Sequence, residues 1–125
     1  MKLDLETRAI DGVTVLCCKG CFINRDDTAV FSRTISELLP HTPQLIIELS
    51  GVEMIDNASL GELVVVQMWA RASGCSMHLA AASAQIRELF ERTNLTSVLE
   101  VHPTLDDALF FCRASASKKK AFHAA

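Results

Sequence analysis

The stretch Leu45-Ile46-Ile47-Glu48-Leu49 constrains this chain more than any other. It is short and almost wholly apolar, so it reads as a strand buried on both faces. Such a strand needs neighbours on both edges and cover above and below. Helical patterns on either side supply that cover. Asn24-Arg25-Asp26-Asp27 has cap-type residues and first-turn acids, and Ala29, Val30, Ile35, Leu38 and Leu39 follow at helical spacing until Pro40 stops the helix. After the strand, Ser50 to Asn57 forms a connection pinned by Val52, Met54 and Ile55. A second helix is expected from about Ala58 to Ala72, closed by Gly74.

The remaining segments extend this alternation. Leu3 to Ile10 alternates with period two, placing Leu3, Leu5, Thr7 and Ala9 on one side. Asp11-Gly12 signals a tight hairpin turn into Val13 to Cys18, a strand ended by Gly20. Ser76 to Ala80 predicts another strand. Ser83 caps a helix to about Arg92, Val98 to Val101 a short strand, and Thr104 a last helix to about Arg113. The order β-β-α-β-α-β-α-β-α implies an α/β fold with a four- to five-stranded mixed sheet and about four helices. Residues 1–114 read as one domain. Residues 115–125, polar and lysine-bearing, read as a flexible C-terminal tail.

Composition narrows the function. Of 125 residues, half are hydrophobic and 22% charged, which is enough for a real core. The formal net charge of -3 gives no electrostatic reason to bind nucleic acid or an anionic membrane. The densest apolar stretch, Leu60 to Ala72, is broken by Glu62, Gln67 and Arg71, short of the roughly 20 residues a membrane helix needs. The charged N-terminus lacks the apolar run of a signal peptide. These features place the protein in the cytoplasm, with no direct membrane insertion.

Candidate chemistry is thin. Cys17, Cys18, Cys21, Cys75 and Cys112 are odd in number and lack disulfide-scaffold spacing. The Cys18-x-x-Cys21 pair straddles a strand end and has no second ligand pair, so it reads as structural. His41, His78, His102 and His123 are scattered, none at metal-ligand spacing with another. Asp26 and Asp27 read as a solvated first turn, and Met68 and Trp69 as packing residues. Gly51 and Gly61 make no phosphate loop, and no nucleophile elbow is present. The expectation is a non-catalytic chain without metal or cofactor.

Leu45 to Leu63 is the specific stretch. A buried strand runs through a pinned loop into Asp56-Asn57-Ala58-Ser59-Leu60-Gly61 at a helix start. This resembles the signature of the STAS domain, the family of bacterial anti-sigma factor antagonists. Gly20, the block Leu79 to Leu99 and Thr104 to Leu109 resemble further family blocks in the same order. The resemblance implies a partner-binding surface at Asp56, Asn57, Ala58, Ser59, Leu60 and Gly61, with Phe22, Ile23 and Asn24 as a second contact loop. It also implies a protein partner, an anti-sigma factor of the serine kinase type or another signalling protein. That kinase phosphorylates the serine after the aspartate in typical members.

The chain departs from the family at that position. Asp56, Leu60 and Gly61 match, but the phosphoacceptor serine is Asn57, followed by Ala58 and Ser59. Asparagine cannot be phosphorylated, though it can cap a helix. Ser59 stands as the alternative phosphosite. Two further roles fit a module of this type: an accessory subunit of a lipid ABC transporter, or a scaffold subunit of a signalling assembly. Self-association into a homodimer is left open.

Overall fold

The computed structural model describes residues 3–23 and 25–124, the last ten as backbone only. Five strands form one mixed sheet in the order β1-β2-β3-β4-β5: β1 Asp4–Ile10, β2 Val13–Phe22, β3 Gln44–Ile55, β4 Ser76–Ala80 and β5 Val101–His102. The helices are α1 Arg25–Leu38, α2 Asn57–Ala72, α3 Ala84–Arg92 and α4 Leu105–Ala124. β1 and β2 pair antiparallel, and the other neighbours pair parallel. The hairpin closes through Asp11 and Gly12, with φ 52° and 79°. Both are left-handed, as a tight two-residue turn requires.

Alternation along the strands divides the interior in two. Leu16, Cys18, Leu45, Ile47, Leu49, Met77 and Leu79 face the larger core, which Phe31 and Ile35 of α1, Leu63 and Val66 of α2, and Ile86 and Phe90 of α3 complete. Val13, Val15, Cys17, Ile46 and Ala80 face the smaller core under Ala108, Leu109 and Cys112 of α4. Cys17 and Cys18 therefore point to opposite faces. All five cysteines are buried, and none is in a disulfide. Burial pushes the Cys18 thiol far above its ordinary value, with the neighbouring Cys17 and Glu48 adding to the effect. Phe22 and Phe31 meet edge-to-face at 5.0 Å, an arrangement that contributes about 0.5–1.5 kcal/mol beyond area burial.

Several boundaries differ from those read in the sequence. β3 continues past Leu49 to Ile55, so the pins of the expected loop are strand residues. β5 shrinks to Val101–His102, while Leu95–Ser97 winds into a 3-10 turn and Leu99 is buried in the larger core. Thr7 and Ala9 are exposed, because β1 is an edge strand. α4 stays helical to Ala124 instead of ending near Arg113. Ala and Lys residues favour helix there, and no Pro or Gly interrupts it.

The β2–β3 pairing carries register irregularities between Cys17 and Lys19 and between Gly20 and Cys21. Gly51 sits where the two backbones close in. A Cβ there would meet Lys19 Cγ at 2.6 Å and the Cys18 carbonyl oxygen at 3.1 Å. Gly61, in the middle of the second turn of α2, has nothing within 4 Å of an added Cβ. Opposite signs should result in urea unfolding. Gly51→Val should cost about 1–3 kcal/mol by overpacking, and Gly61→Ala should add about 0.5–1 kcal/mol by removing backbone freedom.

Candidate functional site

The start of α2 is held by the end of β3. Asp56 is extended, with φ -91° and ψ 173°, and its N–H donates to the Phe22 carbonyl at 3.1 Å. The carbonyl of Asp56 accepts from Leu60 N–H at 3.0 Å, and its carboxylate oxygen Oδ1 accepts from Ser59 N–H at 2.8 Å. Asp56 is thus the helix N-cap. Asn57, read in the sequence as able to cap, is instead the first helical residue and is exposed, as is Ala58. Both stand at the positive end of the helix dipole.

Ser59 and Leu60 point the other way. Leu60 joins the larger core. Ser59 is 2% exposed, and its hydroxyl lies 3.1 Å from Thr28 Oγ1 of α1. That buried contact between the two helices does not favour Ser59 as the alternative phosphosite. One turn on, Ser32 Oγ donates to Glu62 Oε1 at 2.5 Å, a second bridge between the two helices. These bridges themselves line a groove of about 590 Å³, which Ile23, Arg25 and Ala29 border on one side and Asp56 and Ala58 on the other.

The second loop divides likewise. Phe22 is wholly buried as the last residue of β2, so it is a core residue and not a contact. Ile23 is exposed at the groove. Asn24 lies outside the described residues.

Sequence reasoning missed the outward face of α2. Met68 and Trp69, read as packing residues, are 62% and 41% exposed. With Gly61 and Val65 they follow the spacing i, i+4, i+7, i+8, one stripe along the helix. Val30 of α1 is also exposed. The apolar residues of α2 exceed what one inward face needs. That excess was visible in the sequence, but which residues faced out depended on the helix phase.

It also missed a side-chain cluster on the other face of the sheet. His78 and His102, 24 residues apart, are brought together by β4 and β5, with Glu100 beside them. His78 Nδ1 lies 2.9 Å from Glu100 Oε2 and 3.2 Å from His102 Nε2, so the reading of scattered histidines does not hold. Burial holds His78 below the ordinary imidazole value, opposed by the Glu100 charge and assisted by His102.

A STAS domain model matches residues 4–108. A search of curated proteins found no match. Among solved structures, an anti-sigma factor antagonist from Mycobacterium paratuberculosis is similar at a TM-score of 0.80 and 25% identity, covering 90% of this chain and 95% of the other. An anti-sigma-factor antagonist (STAS) domain protein from Planctomyces limnophilus gives 0.70 and 18%, covering 88% and 97%. A sulfate transporter family protein from Wolinella succinogenes gives 0.72 and 17%, covering 88% and 92%. The latter two share the fold.

If Asp56 is the cap, Asp56→Ala should lower unfolding stability by about 0.5–2 kcal/mol. Asn57→Ala should cost much less, since the Asn57 side chain is not the one that caps Ser59 N–H. Chemical denaturation of both variants checks the assignment.

Proposed function

The chain belongs to the STAS domain family, and from that premise we propose that it is a non-catalytic, cytoplasmic protein-binding module of the anti-sigma factor antagonist type. The single observation that carries this reading is the surface at the start of α2. There an exposed Asn57 and Ala58 sit on a rigid, Asp56-capped helix end, continuous with an exposed apolar stripe. Solvent-facing Trp and Met beside a groove are the side chains that protein interfaces favour. Residues 1–114 form the module. Its partner is an anti-sigma factor of the serine kinase type or another signalling protein.

Within that reading, Asn57 makes the module permanently unphosphorylated at the helix start. A phosphoryl group there would add nearly two negative charges to the contact surface. Asparagine offers no hydroxyl to receive one, so binding is controlled by the amounts of module and partner. Among the described residues no helix is long and apolar enough to cross a membrane.

The test begins with affinity purification from the native host and identification of the partner. Binding of that purified partner is then measured by calorimetry. Trp69→Ala should weaken it roughly 30-fold if Trp69 is a hot spot of about 2 kcal/mol. Asn57→Asp should weaken it while retaining the fold, and incubation with the partner and ATP should leave position 57 unmodified. Unchanged affinity in both variants would place the interface elsewhere and sink the assignment.

A further inference from the structure

We propose that His78, Glu100 and His102 form a binding site for one divalent transition-metal ion, zinc by the chemistry of its donors. The site lies on the α4 face of the sheet, away from α1 and α2, and is independent of the docking surface. Two strand positions and the residue before β5 build it. His102 pairs with Ala80 in register, and His78 lies two residues before Ala80, so both imidazoles emerge on one face. Glu100 lies two residues before His102, and its carbonyl accepts the Leu79 N–H at 2.8 Å, which fixes that segment against β4.

The donor atoms converge. His78 Nδ1, Glu100 Oε2 and His102 Nε2 all lie within 4.8 Å of one another, with two of the separations at 2.9 and 3.2 Å. Donors on a tetrahedral zinc with bonds of about 2.0–2.1 Å stand roughly 3.3 Å apart. A cation can therefore enter with small side-chain movements. Proton counting points the same way. The nitrogen His78 Nδ1 meets both a carboxylate oxygen and a second imidazole nitrogen. A neutral imidazole has one N–H, so a proton on Nδ1 serves Glu100 and His102 only by being shared. A metal ion satisfies all three lone pairs at once.

The surroundings suit a metal. His78 is 1% exposed, and its other nitrogen, Nε2, lies 3.0 Å from Ser76 Oγ, the kind of outer partner that orients a ligating histidine. Phe111 of α4 covers both imidazoles, its ring centroid 5.1 Å from His78 and 5.3 Å from His102. Glu100 is 57% exposed and supplies the entry path. Three protein donors leave a fourth position for water. The bound ion would clip the two-residue β5 to β4.

Zinc titration of the chelator-treated full chain, followed by calorimetry, tests this. One zinc per chain should bind, and cobalt(II) should give the visible absorption of a tetrahedral site. Glu100→Gln and His102→Ala, both at accessible positions, should each weaken zinc binding ~10-fold or more, since loss of even an outer partner costs about 10–100-fold. At equal zinc concentration the melting temperature of the native chain should rise more than that of either variant. His41→Ala should bind as the native chain does. Absence of saturable binding, or unchanged affinity in both Glu100→Gln and His102→Ala, overturns the site.

Discussion

The first half of β3, Gln44 to Leu49, is covered by protein on both faces, and the rest of the architecture answers to that constraint. Its side chains alternate into two cores, Leu45, Ile47 and Leu49 into one and Ile46 into the other. Each core needs its own helical lid, so neither α4 nor the α1–α3 layer is dispensable. Both edges are paired in parallel, which demands crossovers, and α1 and α2 are those crossovers. Fully burying one such Leu or Ile contributes about 1.5–3 kcal/mol, so this strand alone concentrates a large part of the driving force. The proposed contact end inherits its position from it. β3 delivers Asp56 to the rim of the sheet, where the backbone bonds Phe22 and the carboxylate starts α2.

Most of that scaffold was legible in the sequence because it rests on local chemistry. Asp11-Gly12 can hardly do anything but turn, and Leu45 to Leu49 can hardly be anywhere but inside. The family resemblance rested on blocks in order, and the matched residues 4–108 bear it out. Three kinds of feature were not legible. Strand ends depend on pairing: β3 runs on to Ile55 because β2 continues beside it to Phe22, despite the residues read as a loop. Side-chain direction depends on helix phase. Ser59 turns in to Thr28 and Met68 turns out, yet both sit in the same run of mostly small or apolar residues. Proximity across strands depends on register. No spacing rule links His78 to His102, because the link is the lateral pairing of β4 with β5.

The two faces of the sheet consequently serve different ends. The layer of α1 and α2 carries a polar seam, Thr28 with Ser59 and Ser32 with Glu62, beneath an exposed apolar ridge. The seam fixes the two helices to each other, so on the proposed reading a partner meets a preformed surface and spends little on ordering it. The α4 layer is smaller and carries its polar groups inside, under an aromatic ring. A change in one layer reaches the other only through β3 and its neighbours.

The capping arrangement at the start of α2 has an evolutionary consequence. On the proposed reading, folding information and regulatory information occupy adjacent codons without overlapping. Asp56 bears the structural duty, and position 57 is left with an outward side chain that the fold does not consult. A lineage can therefore exchange a modifiable hydroxyl for an amide there, or recover it, in a single step and without passing through an unstable intermediate. Regulation by covalent modification, on that reading, is a detachable trait of the fold.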